Sequence, residues 1–542
     1  MISLKKQAYL LLCAGVLALT ACTSDTAADP QGSAVSSLQM MELNGKLEAQ
    51  PHDPHHGAAY EVFVYSFCDS DGDGTGDLQG LISKLDYIQD LGFDTIWLMP
   101  VNPSDTYHKY DVKDYFAIDP QYGTMADMEQ LLKETESRHM QVLMDLVLNH
   151  TADDHYWFTQ AHDYLKELPA DWQPSSDYCP YFDYYHFSRE RGEGYVPLAD
   201  TNWFYEARFW SEMPDLNLDS EKVRNEIAEI MRFWLGKGVA GFRLDAVTSY
   251  YTNNTAQNTE FLRWLCDTGK KIDPDCYFVG EAWTEMNNYA QLYQSGIDSL
   301  FDFAFADSSG IIAGTMKNSY GLDDYAQALV KEEKLYASMN PQYVNAPFYT
   351  NHDMGRSAGY YAGDDGKLTK MAQILNVMMP GRVFVYYGEE IGMKGAGKDE
   401  NKRAPMYWTE DPDAEGMCSG PPDMDEVKMK FPALDEQQTD PLSVYSLVRQ
   451  ALKIRNAFPA IAEGTTEVME DLCTEETAVI LRKDGSHENA MLVFNGASAA
   501  EVHTGNQYVQ LRAVLTVDDS TVELKDGVLQ MPPYSMAVLT EE

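Results

Sequence analysis

Positive charge is scarce in this chain of 542 residues: 40 lysines and arginines stand against 85 aspartates and glutamates, a formal net charge of −45. A surface of that sign repels phosphate backbones, which excludes nucleic acid as a partner. Uncharged ligands are not repelled. Cysteine is sparse, eight in all, and no two follow Cys-x-x-Cys spacing, so a thiolate metal centre of that kind is excluded. Internal repeats and low-complexity tracts are lacking, which excludes a solenoid. Beyond the first twenty residues no run is long and apolar enough to cross a bilayer. What is present is 44% hydrophobic and 12% aromatic residues, ample for packed cores, in a length that calls for two or three domains.

The amino terminus reads as a targeting segment. Lys5 and Lys6 precede an apolar run from Ala8 to Leu19, too short for a spanning helix and followed by small residues. The ending Leu19-Thr-Ala-Cys22 resembles the lipobox of bacterial lipoproteins. That resemblance implies a signal peptide over 1–21, acylation of Cys22, and an exported, lipid-anchored protein. Export permits disulfides, and Cys266 and Cys276 are close enough in sequence to pair. Residues 22–58 are polar, with His52, His55 and His56 among them, and read as a flexible tether.

From Tyr60 onward short β-like runs alternate with amphipathic stretches. Strands are predicted at Glu61–Phe67, Thr95–Met99, Gln141–Leu146, Gly241–Leu244, Tyr277–Gly280, Ser299–Phe303, Ala346–Tyr349 and Val383–Tyr387. Helical spacing lies between several of them, including Leu78–Leu91, Ser220–Lys237 and Leu322–Met339. Eight strands with intervening helices predict an α/β fold, a (β/α)8 barrel, with a doubly wound sheet the alternative that pattern allows. The barrel is assigned 59–150 and 220–458. The stretch 151–219 is too long for a structureless loop and rich in aromatics (Trp157, Trp172, Tyr184 and Trp210 among them), so it is read as a subdomain inserted after the third strand. Five strand-like runs separated by turn signals predict a β-sandwich domain over 459–542.

Three segments carry the chemistry: Gly241-Phe-Arg-Leu-Asp-Ala-Val247, Phe278-Val-Gly-Glu-Ala-Trp283 and Asn351-His-Asp353. Each places a carboxylate at or near the end of a short apolar run. Buried acids need partners, so three of them in order predict a cluster at one end of a sheet, acting on an electron-deficient centre. Arg243 shares side-chain parity with Asp245 on its strand, and its fixed charge favours ionised Asp245.

With Gly92-Phe-Asp-Thr-Ile-Trp-Leu-Met-Pro100, Asp145-Leu-Val-Leu-Asn-His150, Met213-Pro-Asp-Leu-Asn217 and Tyr386-Tyr-Gly-Glu-Glu390 in the same order, the chain resembles the α-amylase family of glycoside hydrolases from about Tyr60 to its end. The resemblance implies Asp245 as nucleophile, Glu281 as general acid/base and Asp353 as the third carboxylate. It implies His150 and His352 as ligands of sugar hydroxyls, Tyr110 as the ring stacked under the sugar, and Arg403 at the rim, with Arg243 and Asp145 in support. Retaining glycosidases need such a pair of carboxylates, one to attack and one to shuttle the proton, with their pKa values held apart.

The segment Asp69-Ser-Asp-Gly-Asp-Gly-Thr-Gly-Asp77 has alternate acids like the first part of an EF-hand loop, but Gly80 stands where that motif needs its Glu. The resemblance implies one calcium site there, held by Asp69, Asp71, Asp73, the Thr75 carbonyl and Asp77. Ser249 occupies a position where many α-amylases have a calcium-ligating His. Ala246 directly follows Asp245, where branches of that family preferring α-1,4 bonds tend to have Ala and α-1,6-specific ones Val, so the resemblance implies α-1,4 bonds. The expected function is thus a monomeric retaining α-amylase cutting internal α-1,4 bonds of starch and maltooligosaccharides. A 4-α-glucanotransferase, or a neopullulanase or oligo-1,6-glucosidase type of activity, is the alternative.

Overall fold

The computed structural model describes residues 34–541, apart from 170, 253 and 362. The signal segment and Cys22 lie outside the described residues. Eight parallel strands form the central sheet: β1 (Ala58–Val62), β2 (Thr95–Leu98), β3 (Gln141–Leu146), β4 (Gly241–Leu244), β5 (Tyr277–Gly280), β6 (Ser299–Phe301), β7 (Val344–Ala346) and β8 (Val383–Tyr386). Consecutive strands are neighbours, β8 pairs with β1, and a parallel bridge between Phe348 and Phe384 brings β7 to β8. The sheet therefore closes as a (β/α)8 barrel, and the doubly wound alternative is excluded.

Each connection buries its helix on one stripe. Helix Glu221–Lys237 turns Val223, Ile227, Ile230, Met231 and Trp234 inward at helical spacing. It stops at Gly238, whose φ of 106° is left-handed backbone that a side chain disfavours, and the chain drops into β4. The single helix expected over Leu78–Leu91 is two, Leu78–Ser83 and Leu85–Leu91, broken at a non-helical Lys84 (φ −107°, ψ 6°). The apolar spacing runs through that break unchanged, which hid it. Strand ends shift by up to five residues at β1 and up to three at β7, which begin and end earlier than the apolar runs.

Between β3 and β4 lies a helix, Tyr156–Glu167, and a three-stranded antiparallel sheet of Phe187–Ser188, Tyr195–Pro197 and Phe204–Glu206. Trp157, Phe158, Tyr184 and Tyr205 form its core, while Trp172, Phe209 and Trp210 remain exposed. At the carboxyl end, a five-stranded and a four-stranded antiparallel sheet enclose a second core that includes Val479, Leu492-flanking Met491 and Val493, Val514 and Leu529.

The four-stranded sheet contains an element from the other end of the chain, and it corrects the tether reading. Ala34–Val35 pairs antiparallel with Val522 and Glu523. A helix, Ser37–Gly45, follows, opened by a Ser36/Gln39 capping box. Met40 is fully buried, and Asn44 accepts from Val514 N–H at 3.2 Å and donates to its carbonyl at 2.8 Å. The arm then runs beneath the amino ends of the barrel strands, where Gln50 N–H donates to Asn456 O at 2.9 Å. Three anchors in a polar segment suffice because each is fully used; burying one side chain like Met40 contributes about 1.5–3 kcal/mol. Composition alone read such a segment as free. Cys266 and Cys276 do not pair: both are buried free thiols.

Candidate active site

Inward-facing positions alternate along the barrel strands, and their chemistry changes with height. The lower layers are apolar: Ala59, Trp97, Leu143, Tyr277, Val279, Phe301 and Phe384 form one buried cluster. One step up on the same parity come Glu61 on β1, Asp145 on β3 and Arg243 on β4, all at most 4% exposed. Asp245 and Glu281 follow directly after β4 and β5. A strand that buries apolar residues and then ends on an acid lifts that acid to the floor of the mouth, where the loops of a barrel gather.

Arg243 is the centre of this layer. Its Nη1 lies 2.9 Å from Asp145 Oδ1 and 2.7 Å from Asp245 Oδ1, and its Nη2 lies 3.0 Å from Glu281 Oε2. A planar guanidinium offers several fixed donors and holds three carboxylates at once, which a lysine could not. Ala246 N–H also donates to Glu281 Oε2 at 3.0 Å. Ala246 has a φ of 46°, left-handed backbone unusual for a non-glycine residue. That turn aims its N–H at Glu281. Both contacts fall on Oε2, so a proton is carried on Oε1.

Burial pushes the Glu281 carboxyl up to about 7, partly offset by Arg243 and reinforced by Asp245 and Asp353. Burial also raises Asp145 to about 6 against the pull of Arg243. Asp353 goes the other way. Burial opposes its ionisation, but His352 beside it, with Arg403, holds it well below the usual carboxylate range. His352 Nε2 is 3.0 Å from Asp353 Oδ2 and Arg403 Nη2 is 3.1 Å from Asp353 Oδ1. His352, though disfavoured as a cation by burial, is raised to about 9 by Asp353 and Glu61. Environment thus divides the carboxyls of one site: Glu281 is poised near neutrality to give and take a proton, while Asp353 stays firmly ionised.

The basic limb of the pH profile follows from the sign of the Glu281 shift. A general acid must enter the reaction protonated, so kcat/KM falls as pH rises through its free-enzyme pKa. The expected midpoint is near pH 7 rather than near 4.5. A profile of kcat/KM on a maltooligosaccharide from pH 4 to 9 checks it; a flat response between pH 6 and 8 would contradict the assignment.

Of the expected substrate-side residues, Tyr110, His150 and Arg403 line one cleft, while Arg243 and His352 are buried behind its wall in contact with them. Tyr110 stacks on the His352 ring at 5.5 Å, and its hydroxyl lies 2.7 Å from His352 Nε2 and donates to Asp145 at 3.1 Å. His150 is buried with its Nε2 unpartnered, an atom placed to meet a ligand hydroxyl. The cleft encloses about 480 Å³, with His108, Phe209, Thr248, Trp283, Asp399 and Arg403 among its walls.

Three contributors escaped the sequence reading. Glu61 receives His352 Nδ1 at 2.6 Å from a strand that otherwise reads apolar. The lone acid inside that run was the available signal. Asp399 and Tyr107 were the others: Asp399 pairs with Arg403 Nη1, and Tyr107 donates its hydroxyl to Asp399 at 2.7 Å. This clamp ties the loop after β2 to the loop after β8, a contact across nearly 300 residues that no local pattern announces.

The acidic loop is a separate cluster. Oxygens of Asp69, Asp71 and Asp77 lie within 4.8 Å of one another, an all-oxygen set suited to a hard cation. Gly72 and Gly74 provide the left-handed turns (φ 84° and 94°), and a Cβ at Gly74 would strike Ser419 Oγ at 2.5 Å. Asp73 does not join the three. Its carboxylate accepts from Thr75 N–H at 2.7 Å, just as Asp69 accepts from Gly72 and Gly74 N–H, Asp71 from Asp73 N–H and Asp77 from Ser70 N–H.

Comparison with known proteins agrees with this geometry. Residues 61–464 match the family model described as "Alpha amylase, catalytic domain". The chain is 36% identical to "Alpha-amylase 3" of Dictyoglomus thermophilum, over 89% of this chain and 92% of that protein. It is 29% identical to "Oligo-1,6-glucosidase" of Parageobacillus thermoglucosidasius, over 80% and 88%. Among solved structures, Eubacterium rectale Amy13B superposes with a TM-score of 0.91 at 46% identity, covering 93% of this chain and 99% of that one.

Proposed function

The chain belongs to the α-amylase family of glycoside hydrolases, and from that premise we propose that it hydrolyses α-1,4-glucosidic bonds of maltooligosaccharides and starch with retention. The observation that carries the reading is the single Arg243 guanidinium shared by Asp145, Asp245 and Glu281, beside an ionised Asp353. In the first step Glu281 delivers its proton to the glycosidic oxygen as Asp245 attacks the anomeric carbon, giving a covalent glycosyl-enzyme. In the second, Glu281 takes a proton from water, which attacks the same carbon and releases Asp245. Asp353 and the His352 cation hold hydroxyls of the distorted ring, and Tyr110 packs on its face. Ala246 after the nucleophile supports the α-1,4 preference.

Glu281 must stand at the leaving oxygen, so the leaving glucan runs toward Trp283, Thr248 and Ser249. An adjoining groove there is lined by hydroxyl and amide side chains, Thr252, Asn254, Asn258 and Asn288, a surface that suits a neutral sugar. The opposite end of the cleft carries the Asp399–Arg403–Tyr107 clamp. That clamp favours a second reading of the mode of attack: removal of short units from the non-reducing end instead of internal cutting. Digestion of soluble starch, pullulan, maltotriose and a maltoheptaoside blocked at its non-reducing end tests both. Cleavage of the blocked substrate at the rate of the free one would set the second reading aside. With the clamp closed, Asp399→Ala is expected to raise the blocked-substrate rate about tenfold. Longer products from maltotriose as the main outcome would favour glycosyl transfer over hydrolysis.

The remaining parts of the proposal concern the surroundings of the site. The loop Asp69, Asp71, Asp77, with the Thr75 carbonyl, would hold calcium, a structural ion outside the cleft. The protein would act as a monomer, exported and anchored through lipid on Cys22; among the described residues no helix is long and apolar enough to cross a membrane.

A further inference from the structure

The histidine-bearing arm lies apart from the active site. Of its three histidines, His52 pairs with Asp94 at 2.9 Å and His55 packs against the Tyr277 ring at 5.2 Å. The arm nevertheless passes a cluster of ligand type. Glu463, at the exit of the barrel, and Asp484 and His487, on a hairpin of the carboxyl-terminal domain, present one ligand atom each, all within 4.8 Å of one another. His487 Nδ1 is 2.5 Å from Asp484 Oδ2 and 3.9 Å from Glu463 Oε2.

The outer atom of each side chain is held by backbone. Asp53 N–H donates to Glu463 Oε1 at 2.8 Å, and Ser486 N–H donates to Asp484 Oδ1 at 2.9 Å. His487 Nε2 faces the Pro51 carbonyl at 3.2 Å. A carbonyl only accepts, so Nε2 carries the hydrogen, and Nδ1 is turned between the two carboxylates. Backbone anchoring of the outer atoms, with the inner atoms turned toward one another, is an arrangement that orients metal ligands, an ion taking the place of the Nδ1 proton shared with Asp484. A proton on Nδ1 would balance only one of the two carboxylates. On the same turn of the arm, His56 Nδ1 is sealed from water and makes no hydrogen bond.

We propose that Glu463, Asp484 and His487 form a divalent transition-metal site, of the zinc or cobalt class, that fastens the arm and the carboxyl-terminal domain to the underside of the barrel. One nitrogen and two carboxylates suit such an ion, which tolerates mixed ligands, better than calcium. The side chains are 15–24% exposed, so an ion can reach them and keep a water in its open position. The site is distinct from the all-oxygen loop at 69–77.

The test uses the full-length protein saturated with calcium. Co²⁺ is titrated while visible absorption is followed, and Zn²⁺ binding is measured by calorimetry. One ion per chain is expected, with a rise in the thermal midpoint. His487→Ala and Asp484→Asn should each weaken binding at least tenfold while keeping wild-type turnover on maltotriose, which also reports that they fold. Asp71→Asn should bind Co²⁺ as wild type does. No binding by the wild type, equal binding by both hairpin variants, or loss in Asp71→Asn alone would overturn the proposal. So would a lowered midpoint in His487→Ala with no dependence on Co²⁺ in the wild type, which is the signature of an ion pair only.

Discussion

Asp245→Asn is expected to lower turnover on maltooligosaccharides by on the order of 10⁴-fold, with the fold retained. The amide keeps the shape of the side chain but cannot attack an anomeric carbon, so no covalent intermediate forms. Stability should change little, because Arg243 keeps Asp145 at 2.9 Å and Glu281 at 3.0 Å as counter-charges. The measurement is kcat on maltotriose beside a thermal melt. A variant within tenfold of wild type would remove Asp245 from the nucleophile role. Azide offers a second readout: in Asp245→Ala it can enter where the carboxylate stood, and a single displacement would yield the glycosyl azide of inverted configuration.

The second large effect falls on stability as well as rate. Arg243 is 1% exposed and is the shared cation of three carboxylates. In Arg243→Met those groups lose it together, and breaking a buried pair by removing one partner costs about 3–5 kcal/mol. The sign of the pH dependence follows. Burial already holds the Glu281 and Asp145 carboxyls at about 7 and about 6 with the arginine present, and without it they rise further above their unfolded values, so the ionised forms destabilise the fold more. The variant should therefore recover part of its deficit as pH falls from 8 toward 5 and the groups take up protons. Arg243→Lys should restore charge but not the three-way geometry, giving an intermediate melt and little activity. Denaturant unfolding of all three proteins at pH 5 and pH 8 checks this; an equal deficit at both would show that lost packing, not charge, is the cause.

How much of this was readable from the residues depends on distance along the chain. Asp245, Glu281 and Asp353 were legible because each sits in its own short block, and the blocks keep their order. The eight strands were legible for the same reason: apolar runs of barrel strands are local. Glu61 was not, since its meaning comes from His352, which lies 291 residues away and meets it only when the barrel closes. The Asp399 clamp is of the same kind. The arm was misread because a few well-used anchors, Val35, Met40 and Asn44, are invisible to average composition.

That arm also bears on how the molecule would stand at a bilayer. The first described strand, Ala34–Val35, is sewn into the carboxyl-terminal sandwich, and Ala34 is only twelve positions after Cys22. Such a leash spans at most about 40 Å even when drawn straight. A lipid on Cys22 would hold the protein by its sandwich at a short standoff. For long, slowly diffusing glucans the leash length, rather than any residue of the cleft, would then limit how far the enzyme can lean toward them.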